Sequence, residues 1–355
     1  MFRSNVPQNC RGGHSDSVII DIRFFFFIMT AIQHIHLGQA RQNMGQLQKS
    51  LVSFERALSI LSRLKPDSVN VANIHCLLGR VLREQGHLAA AKEQLNQAIL
   101  IYDDKASSSL DLANAYVDLG RVLGSEGCKE TEMMYFGQAM EIQNRLAPDS
   151  LELATTFHQV GVSYFGSGDF ESAQLYLQYA ISIRESLSPQ SLELAKSFFY
   201  VAELLKKQGD FSNALQLHQQ CLELRSRLQP LSKDEAASLH AVGQMMESMD
   251  NWQEALSYYS REFIGRDIDD VETGKVHNTI GNILLKKADR FGDAVYNHRM
   301  AVRIQKKHGG NPENLAVYLA DLVRALKAKG EATIEFERQV EETLREVHLG
   351  QQAEI

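Results

Sequence analysis

The chain reads as all-α, an α-solenoid built from antiparallel helix pairs, and three series of residues point there. Glycine returns with a 41-residue period, at Gly45, Gly86, Gly127, Gly168 and Gly209, with Asp250 at the sixth step. Seven positions ahead of each stands a second small residue, in the series Gly38, Gly79, Gly120, Gly161, Ala202 and Gly243, always after Leu or Val. A third series follows the first by twelve positions, as Ala57, Ala98, Ala139, Ala180 and Cys221, and breaks at Glu262. A period this regular is the mark of stacked repeats, in which each unit buries its apolar face against its neighbours.

The elements of one unit follow from local chemistry. Leu78, Gly79 and Leu82, then Leu88, Ala91, Leu95, Ala98 and Ile101, recur at steps of three and four on either side of Gly86, giving two amphipathic helices with a break between them. Glycine suits the left-handed backbone that ends a helix, and Asp250 substitutes because Asp tolerates that region better than branched residues do. Pro66, Pro148, Pro189 and Pro230, with Ser107 in the one gap, stop the second helix. Asp149 with Glu152, and Ser232 with Glu235, have capping-box spacing and open the next first helix. The small residues Gly161, Ala173 and Ala180 let two backbones approach, with Phe170 and Leu177 filling the space beside them. The aromatic series Phe170, Phe211, Trp252 and Phe291 reads as core.

Along the chain, residues 1–29 lie outside the repeat. Val18–Met29 carries an apolar, strand-like run ending in Phe24, Phe25, Phe26 and Phe27, too short to span a bilayer, without a clear signal-peptide cleavage site, and an aggregation hazard. The segment reads either as disordered or as an artefact of the gene model ahead of a start at Met29. The array covers 30–330, seven units and the first helix of an eighth, and 331–355 forms a charged capping helix and tail. Unit three carries Glu132 where others have Ala91, Ala173, Ala214 and Ala255, which predicts local loosening. In unit seven the step from Ala255 to Ala294 falls short of the common period by two positions, and the turn at Asp289–Arg290 is longer by one. The acidic connection Asp267–Glu272 lacks EF-hand spacing and its central Gly, so a solvated loop is expected in place of a calcium site.

Composition limits the function. The net charge of -7 argues against a protein that wraps nucleic acid, and Cys10, Cys76, Cys128 and Cys221 form neither a CxxC pair nor a disulfide framework, so a reducing, cytoplasmic setting is expected. No HExxH, P-loop, GxGxxG or GxSxG is present; the expectation is a non-enzyme with no cofactor and no metal. His34 and His36, two positions apart on a helix, point in different directions and cannot converge on one ion. His218 and His298 fall at core-like positions of second helices, where a hydrogen-bonded structural imidazole is expected.

With a small residue after Leu in the first helix and two alanines in the second, the array resembles the tetratricopeptide repeat, whose ordinary unit has about 34 residues. Its longer unit is similar to those of kinesin light chains and nephrocystin-type ciliary proteins, and Asn311-Pro312-Glu313-Asn314-Leu315-Ala316 is similar to the inter-repeat signature of that group. The resemblance implies a right-handed superhelix whose first helices line a concave surface, and it implies motor, cytoskeletal or ciliary partners. Kinesin light chains hold an extended cargo peptide with a ladder of asparagines in the first helices. At the matching positions, Ile35, Cys76, Val117, His158, Phe199, His240 and Asn278, only Asn278 agrees.

On the face of the first helices opposite the packing face, Arg80, Arg83, Arg121, Lys196, Lys206, Lys207, Lys275 and Lys286 stand against Glu84, Glu203 and Glu247. A basic concave lining in an acidic protein predicts an acidic partner, with Phe165 and Phe199 as apolar anchors. The alternative is a solvated helix face with both phenylalanines packed between repeats. The expected function is therefore a scaffold or adaptor that binds protein segments, acidic or extended, in the groove. The second reading is a regulatory or sensor module acting on a signalling or transcription protein.

Overall fold

The structure, a computed structural model, describes residues 13–263, 270–287, 289–309 and 311–353, with side chains within 25–347. Among these residues there are sixteen helices and no strand. The chain divides into two compact units, Met1–Ile183 and Arg184–Ile355. The first holds α1 (Gly13–Asn43), α2 (Leu47–Leu64), α3 (Val69–Glu84), α4 (Leu88–Ala106), α5 (Leu110–Ser125), α6 (Lys129–Leu146), α7 (Leu151–Ser167) and most of α8 (Phe170–Leu187). The second holds α9 (Leu192–Gln208), α10 (Phe211–Leu228), α11 (Lys233–Ser248), α12 (Trp252–Glu262), α13 (Val271–Lys287), α14 (Phe291–Lys307), α15 (Pro312–Lys329) and α16 (Ile334–Ala353). Odd-numbered helices are the first of each pair, and each packs on the even-numbered helix after it.

One contact fastens the pairs. The small residue of the first helix is a notch, and a large side chain of the second helix fills it: Phe54 at Gly38, Leu95 at Gly79, Phe136 at Gly120, Leu177 at Gly161, Tyr259 at Gly243 and His298 at Gly281. A Cβ added at any of these glycines would meet its knob at 2.5 to 2.7 Å, closer than real carbon atoms approach, so the knob fixes the residue opposite it. The knobs Phe54, Leu95, Phe136, Leu177 and Tyr259 are fully buried, each contributing roughly 1.5–3 kcal/mol of apolar burial. The aromatic series assigned to the core from the sequence stands at its margin, with Trp252 packed against the core of the second unit. Phe170, Phe211, Trp252 and Phe291 are the first residues of their helices, none is fully buried, and Phe211 is 41% exposed, because a helix's first turn lies beyond the reach of the notch.

The helix ends follow the punctuation. Asp250 takes φ of 63° in the role of the glycines, and Asp289 takes φ of 48° in the longer turn of unit seven, where the Arg290 amide reaches back to the Leu284 carbonyl at 3.2 Å. Pro66, Pro148, Pro189 and Pro230 each sit two positions past a second helix. The cap before α7 is Ser150, not Asp149: the Ser150 hydroxyl accepts from the Leu153 amide at 3.2 Å, while Asp149 occupies a left-handed turn at φ of 56°. Ser68, Ser109, Ser191 and Ser232 cap α3, α5, α9 and α11 in the same way. With Ser150 they form a serine series of the same period, of which only Ser232 has the acidic residue three positions on that marks a capping box.

Two further expectations are corrected. Val18–Met29 is not strand-like but lies within α1, with Phe25, Phe26 and Phe27 exposed at 61, 66 and 53%. Unit three is not loosened. Glu132 is buried because residue 124 is Gly where other units have longer side chains, and its carboxylate accepts from the Ser163 hydroxyl at 2.8 Å with Lys129 Nζ 3.3 Å away. The helix after Gly330, α16, packs on α15 and places Phe336 and Val340 against the core of the second unit. Residues 264–269, which include most of the acidic connection, lie outside the described residues.

Candidate peptide groove

In the first unit the exposed faces of α1, α3 and α5 enclose a groove of about 470 Å³. Ile32, Ile35 and Leu77 line its apolar side, Asn73 and Asn114 supply amides, Asp111 stands at the α5 N-terminal end, and Arg80 stands at the opposite lip. Asn73 and Asn114 are one full repeat apart and three positions ahead of the asparagine-ladder register. Their recurrence in the sequence was the signal that would have found them. Cys76 lies on the floor, where burial pushes its thiol up to about 12, leaving it protonated and unreactive.

Three of the expected basic residues come together. Arg80 Nε donates to Asp118 Oδ2 at 2.5 Å, and Arg121 approaches the other oxygen of that carboxylate at 3.8 Å. Asp118 is only 5% exposed, so its charge is covered by these guanidiniums instead of water. Its attraction raises Arg80 above the ordinary guanidinium range. Arg121 is lowered, first by burial and then by the positive charge of Arg83. The Nε of Arg83 is buried without a hydrogen-bond partner. Glu84, the other carboxylate acting on Arg121, accepts from Gln42 at 2.9 Å.

The remaining residues are dispersed. Phe165 packs on Phe170 at 6.0 Å between ring centres. In the second unit Lys196 and Lys275 pair with Glu193 at 3.9 Å and Glu272 at 2.6 Å, one turn back on their own helices, carboxylates outside the face counted from the sequence. Lys206 lies 3.5 Å from Glu203 and donates to Gln244 at 2.7 Å, while Lys286 is exposed. Phe199 meets His218 edge-on at 5.4 Å and carries the Arg225 guanidinium over its ring at 5.0 Å. Asn278 is buried, with its amide nitrogen donating to Asp321 at 2.8 Å and its oxygen accepting from His298 Nδ1 at 2.9 Å. It is thus engaged within the fold. His218 and His298 are both fully buried, His218 with its Nε2 3.3 Å from Glu203. Among the described residues no three His, Cys, Asp or Glu side chains converge as metal ligands, and no helix is long and apolar enough to cross a membrane.

Comparison with known proteins agrees with this architecture. The tetratricopeptide repeat family model matches residues 29–104 and 193–262. Among solved structures, BtubC (BKLC) from P. vanneervenii superposes with a TM-score of 0.54 at 18% identity, over 62% of this chain and 91% of that one. The Cut9-Hcn1 hetero-tetramer of APC/C gives 0.58 at 15% identity, over 88% of this chain and 56% of that one. A putative kinesin light chain of Podospora anserina with nearly identical TPR-like repeats gives 0.46 at 18% identity, over 56% and 96%. No curated protein matches the sequence.

Proposed function

We propose that this chain, which carries tetratricopeptide repeats in an α-solenoid resembling that of kinesin-light-chain-like proteins, is a non-catalytic scaffold that binds acidic segments of partner proteins in the groove of its first helices. The observation that supports this most directly is Arg80 at the lip of the 470 Å³ groove, sharing the buried Asp118 carboxylate with Arg121, which in turn lies within the charge field of Arg83. Charge crowded along a low-dielectric wall attracts an oppositely charged segment and steers its approach. In the second unit, Lys206, Lys286 and the Phe199 ring are the corresponding contact candidates, with Lys196 and Lys275 weakened by their neighbouring glutamates. A cytoplasmic location and cytoskeletal or ciliary partners belong to the same proposal.

The test is binding to arrayed peptides rich in Glu and Asp, against neutral and Lys-rich controls. Arg80 is left intact because it covers buried Asp118, and Arg83 and Arg121 are changed together to Gln. Binding of the acidic peptides should fall by about tenfold or more with the fold retained, and wild-type binding should weaken with salt, which screens surface charge over about 8 Å at physiological strength. Equal binding by wild type and variant at both low and high salt would leave the arginines as a solvated helix face.

A further inference from the structure

The arginine cluster asks for a particular kind of anion. Arg80 and Arg121 stand in the same register of consecutive first helices, one full repeat apart, and Arg83 lies one turn beyond Arg80. Three guanidiniums thus face two carboxylates. One of these, Asp118, is buried beneath them and held by Arg80, and the other, Glu84, is turned toward Gln42. The buried Nε of Arg83 has no acceptor, so a donor is already desolvated and unused. Like charges held this close oppose one another, and a bound anion would relieve that opposition.

The opposite end of the groove decides which anion. Asp111 lines it near the α5 N-terminus, ten positions ahead of Arg121, or about 15 Å along the helix. A segment bearing a run of carboxylates would satisfy the arginines and then meet Asp111. A ligand with its negative charge concentrated on a single group, and neutral residues over Ile32, Ile35 and the amides of Asn73 and Asn114, avoids that conflict. A phosphoryl group carries about -1.5 to -2 charge on three acceptor oxygens and matches forked guanidinium donors.

We propose that Arg83 and Arg121, backed by the Arg80–Asp118 pair, form a docking point for one phosphorylated side chain of a partner protein, with the neutral residues beside it seated in the groove. This rests on the groove being a peptide site.

The full chain is probed with three matched degenerate peptide libraries that differ only at one fixed position, phosphoserine, glutamate or serine. Phosphoserine should bind about tenfold or more tightly than glutamate, and the preference should vanish in the Arg83→Gln/Arg121→Gln variant. Because Arg80 stays paired with Asp118 in the variant, its melting temperature should change little, whereas a purely structural network would lose several degrees. Inorganic phosphate should compete at millimolar concentration where chloride of equal ionic strength does not. Equal binding of glutamate and phosphoserine overturns the phosphoryl assignment and leaves the acidic-segment reading standing, and absence of binding by any library overturns both. A variant that melts lower while keeping the phosphoserine preference also overturns it.

Discussion

His298 shows how one position changes character without leaving the pattern. It fills the Gly281 notch where Leu95 fills that of Gly79, yet its ring is fully buried and burial pushes its pKa down to about 4. The folded state therefore holds the neutral ring, and its contribution is fully present above the unfolded value of about 6.5 and is lost as pH falls through 4. The second unit should lose stability on the order of 3 kcal/mol over that window. Urea denaturation between pH 7 and 4 measures this, and a His298→Leu variant should show a flatter profile. At the notches themselves, Gly120→Ala places a methyl 2.7 Å from the Phe136 ring and should cost about 1–3 kcal/mol by overpacking, read as a shift in urea midpoint. At the caps, Ser150→Ala should cost about 1 kcal/mol, whereas Asp149→Gly should be neutral or stabilising because Asp149 already holds a positive φ.

At the scale of helices, α6 and α5 carry a reciprocal exchange of volume. Gly124 is small and Glu132 large where the other units reverse the sizes, and the carboxylate that results is met by Ser163 and Lys129. Glu132→Ala alone opens a void and removes the acceptor of Ser163, and should cost about 2–4 kcal/mol by thermal unfolding. Adding Gly124→Leu should recover part of that loss, a coupling that two independent sites would not show. The sequence made the Glu132 anomaly visible but not its partner, since the two lie eight positions apart on different helices. A similar blind spot covers the contact joining one pair to the next. Gln143 bonds Thr156 at 2.7 Å, Arg184 bonds Ser197 at 2.6 Å and Arg225 bonds Ser238 at 2.7 Å, each pair separated by the same sequence distance. Burial lowers Arg184 to about 10, since a hydroxyl and a carbonyl oxygen compensate it less than water would.

Across the whole chain, what repeats could be read from the sequence and what compensates could not. Helix pairs, left-handed turns and proline stops depend on one residue in a local conformation, so the periodic series declared them. The aromatic series misled because periodicity records that a position recurs and not how deep it lies. For the groove, the sequence placed Arg80, Arg83 and Arg121 on one face, but Glu193, Glu272 and Asp118 had to be seen in place to know which cations are already answered.

Within each unit the helices pack chiefly on those beside them in the chain, and beyond these α3 meets α5, α5 meets α7 and α13 meets α15, each the next first helix. Such a chain closes no long loop in order to fold, so formation should be fast and any nucleus local. The same economy of connection means that a break at one pair need not carry to the far pairs. Amide exchange should then grade from helix to helix, with the slowest amides beside Phe54, Leu95 and Phe136 and the fastest near α12 and α16, whereas a single uniform protection value across both units would mean that the chain opens all at once. Its stability is accordingly a profile along the sequence, and a lone melting temperature would report an average that no individual helix possesses.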